Sequence, residues 1–309
     1  MATPIRLGID SDGKNVWVDP KGSATSYLIS GKTRSGKSAL LYSMLAQLSR
    51  DPSVTIAGID PTGIVFSALR DVPDPTLRVS TVRDPQDIKQ VMQRLVDIMD
   101  QRIDALLASR LDKLTDFTPD VPLIVVVLEE YAGLMHSLQA ADRASGGKVA
   151  DRTATAVESS VLRLASEGEK AGIRLIISTQ HPSSEVLSTG VRSQMVNRIS
   201  FSQGSIGLSM VHEDLPDALK SAAVRFLAGE AITELAGAPP IRFRADYATY
   251  QDYIRLVDDA VERRERALEG VESGGGRGAV SDADRPRQAP QGPYESTSAC
   301  SRASPRGFR

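Results

Sequence analysis

This 309-residue sequence predicts an α/β fold, with a mainly parallel sheet and helices on both of its faces. Three observations lead there. Short apolar, β-branched runs alternate with amphipathic helical stretches along most of the chain. One run, Leu123–Leu128 (LIVVVL), is apolar at every position, which suits a strand covered on both faces rather than one facing water. Finally, a glycine-, lysine- and serine-rich loop separates a strand-like YLIS from a helix-like segment, and the strand–loop–helix order is characteristic of phosphate-binding loops.

The elements follow in order. Ile5–Ile9 and Asn15–Val18 flank Asp12-Gly13, a hairpin with its turn at the Asp-Gly pair. Ser26–Ser30 reads as a short buried strand. Ser38–Leu48 reads as a helix, with Leu40, Leu41, Met44, Leu45 and Leu48 on one stripe. Val54–Ile59 is an apolar strand ending at Asp60-Pro61, and Leu77–Val82 repeats the pattern. Asp84 is placed to cap a long helix that has Pro85 at its first position and apolar residues from Ile88 to Leu106 at helical spacing. After the Leu123–Leu128 strand, Tyr131, Leu134 and Met135 pack a helix. A second helix spans about Ala154–Lys170 and a strand Ile173–Ser178. Further strands are expected near Arg198–Phe201, Val224–Leu227, Ala231–Leu235 and Ile241–Arg244, then a last helix over Thr249–Leu268. Residues 271–309 are rich in Gly, Pro, Ser and Arg and offer little to bury, so they read as a disordered tail of net charge +2. The expected division is 1–248 as one domain, 249–270 as a C-terminal helix and 271–309 as tail.

Composition bounds the function class. Hydrophobic residues at 41%, charged residues at 25% and a net charge of −2 describe an ordinary globular body, not a disordered, collagenous or disulfide-stapled one. The single Cys300 makes no internal disulfide. No stretch approaches the roughly 20 apolar residues that span a bilayer. The opening MATPIRLGIDSDGK lacks a signal-peptide core, so the expected location is the cytoplasm. The near-neutral balance gives no electrostatic sign of a nucleic-acid partner. His136, His181 and His212 have no partner at metal-ligand spacing, so neither zinc nor nucleophile–histidine chemistry is expected. Arg263, Arg264 and Arg266 lie among glutamates and read as a solvated, salt-bridged helix face.

Chemistry concentrates in three places. Gly31-Lys32-Thr33-Arg34-Ser35-Gly36-Lys37-Ser38 matches the eight-residue phosphate-loop pattern in full. Its glycines let backbone N–H groups wrap phosphates at a helix N-terminus. Lys37 is expected on the β- and γ-phosphates and Ser38 on Mg²⁺. At the end of the LIVVVL strand, Glu129 is placed to orient the metal and Glu130 to activate water as general base. Gln180, ending Ile173-Arg174-Leu175-Ile176-Ile177-Ser178-Thr179-Gln180, is the candidate sensor of the γ-phosphate. The expected cofactors are ATP and Mg²⁺.

With these segments in view, the chain resembles the FtsK/SpoIIIE family of DNA-translocating ATPases, within the group that includes HerA and conjugation coupling proteins. The matching stretches are LGIDSDGKNVWVD, LISGKTRSGKSALL, GIDPTG, LIVVVLEEYAGLM and AGIRLIISTQHPSSEVLSTGVRSQMVNRISF, in family order over about residues 5–245. The resemblance implies a RecA-like P-loop fold, a homo-oligomeric, hexameric ring, ATP hydrolysis between subunits and double-stranded DNA as partner. Family members at the division septum carry membrane helices before the motor and often a winged helix after it. Neither is visible here, so the layout resembles the short conjugative-transfer members, with a membrane-bound partner expected. Three positions depart from the pattern. Glu129 stands where Asp is usual and is one methylene longer. Thr62 replaces a common basic residue. Glu169 falls where an arginine usually reaches the neighbouring subunit, leaving Lys170, Arg163, Arg174 or Arg198 as substitutes. A secretion ATPase engaging polypeptide, a chromosome-segregation motor and a non-hydrolysing ATP-switched assembly protein are the alternatives.

Overall fold

In a computed structural model of the protein, residues 4–22, 26–146, 152–236 and 238–274 are described. One ten-stranded sheet organises them. Its strands are β1 (Ile5–Asp10), β2 (Asn15–Val18), β3 (Tyr27–Ser30), β4 (Val54–Asp60), β5 (Arg78–Ser80), β6 (Leu123–Leu128), β7 (Ile173–Thr179), β8 (Asn197–Phe201), β9 (Glu230–Glu234) and β10 (Ile241–Ala245). They lie in the order β2-β1-β10-β9-β8-β3-β7-β6-β4-β5. From β8 to β5 every neighbour is parallel, and from β8 to β2 every neighbour is antiparallel. The mainly parallel sheet read from the sequence is therefore extended by an antiparallel wing. The N-terminal hairpin forms its outer margin.

The helices are α1 (Lys37–Leu48), α2 (Ile64–Ser67), α3 (Pro85–Ser109), α4 (Tyr131–Ser145), α5 (Thr153–Glu167), α6 (Thr189–Gln194), α7 (Ser205–Val211), α8 (Asp217–Ala223) and α9 (Tyr250–Gly274). Strand β6 shows how they are distributed. Ile124, Val126 and Leu128 enter a core with α3, α4 and α5. Leu123, Val125 and Val127 enter a second core with α1, α2 and α9. The side-chain alternation of a strand thus divides one continuous apolar run between two layers. The cap at Asp84 forms as expected, its carboxylate accepting from the Gln86 backbone N–H at 2.8 Å.

Three expectations are corrected. Val224–Leu227 is not a strand but the turn after α8, because Arg225 and Phe226 spend their N–H groups locally on Ala222 and Ala223. Phe226 fills a small core with Leu208, Ala223 and Ile232. The strand expected over Leu77–Val82 shortens to β5, since Leu77 ends a 3₁₀ turn and Thr81 takes a positive φ of 102°. Arg264 does not join the solvated face of α9. Its guanidinium turns inward to the carbonyls of Asp51 and Val54, while Arg266 keeps the expected pairing with Glu262 at 2.7 Å. One compact unit runs to Leu268, and residues from Glu269 on form a separate one. From 275 onward the tail read over 271–309 lies outside the described residues. Among the described residues, no helix is long and apolar enough to cross a membrane.

Candidate active site

The loop 31–38 joins the fully buried β3 to α1, so its turn is fixed at both ends. Its glycines are required by space as well as by backbone angle. Gly31 has φ 151°, and a Cβ there would stand 2.6 Å from the Phe201 Cβ and 2.7 Å from the Ser35 hydroxyl. Gly36, at φ 120°, would place a Cβ 2.9 Å from the Phe201 ring and 3.0 Å from the Gly229 backbone nitrogen. Phe201, at the end of β8, and Gly229, in the turn before β9, both sit against the loop. Two backbone bonds reinforce this support, from the Lys32 N–H to the Ser202 carbonyl (2.9 Å) and from the Gly229 N–H to the Ser35 carbonyl (2.8 Å).

Lys37 is the first residue of α1, and its ammonium is folded back over the loop to donate to the Gly31 carbonyl at 2.8 Å. Burial pushes its pKa down, while Glu130 and Glu129 pull it back up. The two glutamates end β6. Glu129 is pinned through its backbone N–H to the Ile59 carbonyl at 3.0 Å, and burial, then Asp60, then Glu130 push its carboxyl up to about 7. Glu130 occupies a left-handed conformation (φ 43°, ψ 53°) at the start of α4, a sharp bend that turns its side chain away from the strand. There its Oε2 accepts from the Gln180 amide nitrogen at 2.8 Å and its Oε1 from the Gln180 backbone N–H at 3.2 Å. Gln180 in turn accepts from the Thr33 hydroxyl at 2.5 Å. One hydrogen-bonded chain, Thr33–Gln180–Glu130, therefore connects the loop with the ends of β7 and β6.

These side chains line a cleft of about 470 Å³ that holds residues 32–39, Glu129, Glu130 and Gln180. All the site residues named from the sequence line this cleft except Gly31, whose carbonyl accepts from Lys37. The sequence reading missed the opposite wall, made by Ala228, Gly229 and residues 244–247. It also missed Asp60. This fully buried carboxylate accepts from the N–H groups of Thr62 (3.0 Å), Val65 (2.7 Å) and Phe66 (3.1 Å), so the GIDPTG segment serves to cap α2 beside the site. Of the substitutes for Glu169, Arg174 is buried and donates to the Glu169, Ile173 and Gly22 carbonyls, and Arg198 to that of Met195. Arg163 clasps Asp100 and Glu167, and Glu169 and Lys170 are exposed. None of these lines the cleft.

The donor set fits a phosphate chain with a divalent cation. The loop is a cradle that a Cβ would fill, the buried Ser35 hydroxyl has no hydrogen-bond partner, and burial with the neighbouring Asp60 and Glu130 makes Glu129 costly to ionise. Among the described residues no group of three or more His, Cys, Asp and Glu is arranged to hold a metal alone. Ser38 and Glu129 would hold a cation only together with oxygens of the ligand.

The loop, its strand neighbours and the acidic end of β6 define a RecA-like P-loop fold. Within that class, the model of the FtsK/SpoIIIE family matches residues 1–122, and the resemblance read from the sequence is borne out. The chain is 26% identical over 279 residues to the DNA translocase FtsK of Tropheryma whipplei, which covers 83% of the chain and 34% of that protein. It is 27% identical over 285 residues to the one from Streptococcus agalactiae, covering 83% and 32%. The chain thus spans about a third of the length of the curated relatives it matches. Among solved structures, the pCW3 conjugation coupling protein TcpA, a monomer form with ATPγS, superposes with a TM-score of 0.69 at 20% identity, over 85% of this chain and 71% of that one. The cytoplasmic domain of the type VII secretion ATPase EccC from Thermomonospora curvata gives 0.61 at 19% identity, over 82% and 31%. These two likenesses are of fold.

Proposed function

We propose that residues 1–248 form an ATP-hydrolysing motor that moves double-stranded DNA as one subunit of a homo-oligomeric ring, in a conjugative-transfer setting. The observation that carries the ATPase reading is the Thr33–Gln180–Glu130 chain beside Lys37, because it joins the phosphate loop to a general base in one hydrogen-bonded unit. The DNA part rests on the relatives, which are named as DNA translocases.

The roles follow from placement. Residues 31–38 cradle the phosphates with backbone N–H groups at the N-terminus of α1. Lys37 swings from the Gly31 carbonyl onto the β- and γ-phosphate oxygens, a short movement for a long side chain. Ser38 and Glu129 would hold Mg²⁺, which would neutralise charge on the phosphates. Glu130 Oε2 takes the proton from the attacking water. Each carboxylate oxygen can accept a second hydrogen bond, so Gln180 orients the base while water approaches and registers the γ-phosphate through Thr33. This coupling suits a motor in which hydrolysis waits for the correct state.

The test is ATP turnover by the purified chain with and without duplex DNA. Turnover should rise with DNA, and Lys37→Ala and Glu130→Gln should each lower it by at least about 10²-fold, the scale of general-base and charge-stabilising contributions. Nucleotide-dependent oligomers without turnover would replace the motor with a switch. Duplex affinity that ignores salt would remove DNA as the substrate.

A further inference from the structure

The antiparallel wing does more than support the loop. Residues 244–247, at the end of β10, form the wall of the cleft across from the acidic end of β6. Among the described residues, Tyr247 is the only aromatic side chain lining the cleft, and at 78% exposure it is the most exposed large apolar side chain. Its backbone, by contrast, is fixed on both sides. The Asp246 N–H donates to the Leu7 carbonyl at 2.8 Å, and the Asp246 carboxylate takes two bonds from Arg6, each 2.9 Å. Ala248 is buried, and Thr249 and Asp252 cap α9 reciprocally, the Asp252 N–H to the Thr249 hydroxyl at 3.0 Å and that hydroxyl to the carboxylate at 2.7 Å. Large exposed aromatics held on a rigid backbone lose little entropy when a planar group stacks on them.

Sheet order gives the cleft a direction. From the loop strand β3, the hydrolytic groups lie through β7 to β6, and Tyr247 lies the other way, through β8 and β9 to β10. A triphosphate whose terminal phosphate faces Glu130 and Gln180 therefore extends its base toward β10. We propose that Tyr247 is the platform on which the nucleotide base stacks, with Arg244, 69% exposed and on the same wall, placed to contact the base or ribose side. This proposal rests on the nucleotide reading of the cleft. Stacking responds to the π-face of any base and most strongly to purines, so the platform favours ATP and GTP over CTP and UTP.

The experiment compares wild type, Tyr247→Ala, Tyr247→Phe and Lys37→Ala by titration calorimetry with ATP, CTP and inorganic tripolyphosphate, each with Mg²⁺. Tyr247→Ala should weaken ATP by roughly 5- to 150-fold, the range of one base–aromatic stack, and tripolyphosphate by less than about 2-fold. Tyr247→Phe should retain ATP affinity, and the wild-type preference for ATP over CTP should shrink in Tyr247→Ala. Unchanged ATP affinity in Tyr247→Ala overturns the proposal. Parallel loss of ATP and tripolyphosphate also overturns it, because the residue would then act on the phosphate loop. Failure of the underlying reading looks different: wild type would bind neither ligand, or Lys37→Ala would bind both as wild type does.

Discussion

His212→Ala tests whether the base of the phosphate loop is braced by a buried polar chain. His212 is fully enclosed, with Nδ1 2.8 Å from Glu234 Oε2 and Nε2 2.9 Å from the Ser200 hydroxyl. Ser200 lies 2.9 Å from the hydroxyl of Ser30, the residue before Gly31, and the Gln203 amide donates to Ser30 at 2.8 Å and to Ser200 at 3.2 Å. Removing the imidazole deletes one bond to a carboxylate, about 1.5–3 kcal/mol, and one to a hydroxyl, about 0.5–1.5 kcal/mol, and leaves a cavity. The expected loss is about 3–5 kcal/mol, read by urea unfolding at pH 8. For a domain of this size it corresponds to a fall in melting temperature of roughly 6–20 °C. Burial, partly offset by Glu234, lowers the imidazole pKa, so the folded state takes up this proton less readily than the unfolded chain. The stability it confers is therefore complete above about pH 6.5, the unfolded value, and declines as pH falls below that. The gap between wild type and His212→Ala should narrow on acidification. A loss under about 1 kcal/mol, or a gap that widens at low pH, refutes the brace. The acid–histidine–hydroxyl order resembles a nucleophilic triad, but Ser200 is completely buried, so a fluorophosphonate should leave it unlabelled in the native protein.

Three further outcomes are expected. Gly36→Ala must place a Cβ against Phe201 and the Gly229 nitrogen at φ 120°, so it should cost about 1–3 kcal/mol in thermal unfolding and weaken tripolyphosphate binding as well as ATP binding. Arg78→Met strips the part-buried carbonyls of Ile56, Leu69 and Val72, and the exposed one of Pro73, of a donor and should destabilise by about 2–4 kcal/mol with little effect on nucleotide affinity in the folded fraction. Duplex DNA affinity, measured by fluorescence anisotropy at two salt concentrations, should fall steeply, with a log–log slope of about −0.9 per phosphate contacted.

The parallel half of the fold was legible because its information is local. β6 is an uninterrupted apolar run and β3 and β7 hold shorter ones, α3 announces itself with Asp84-Pro85, and the loop 31–38 carries its pattern in eight consecutive residues. The short helices α6, α7 and α8, six or seven residues each, hold too few turns for a helical period to emerge. Val224–Leu227 misled because three apolar side chains in four residues look alike in a strand and in a turn. The cleft's second wall was hidden for a different reason. β10 was readable as a strand, but its antiparallel pairing with β1, and the bond from Gly229 to Ser35 that draws the wing onto the loop, join residues about 200 apart in sequence. Hydrophobic patterning records which face of an element is buried and not which neighbour buries it.

The same distinction decides what is left for a cation acting between subunits. A guanidinium that stabilises charge in a neighbour's cleft needs donors free to leave their own subunit. Arg174, a buried side chain amid carbonyls of its own chain, would strip three of them to do so, and Arg198 is held at the end of β8 between the Met195 carbonyl and the Glu213 and Glu234 carboxylates. Arg163 would give up only a half-exposed clasp on Asp100 and Glu167, of the kind worth about 1 kcal/mol or less, and Lys170 already projects at the surface beside Glu169. If the ring uses a cation from this region, turnover per subunit should fall in Arg163→Ala or Lys170→Ala while ATP affinity of the isolated subunit stays constant. Mixing either variant with Glu130→Gln should then restore some activity at those interfaces where an intact cation meets an intact base. Turnover unchanged in both variants would place the trans-acting group elsewhere on the chain, or remove the need for one.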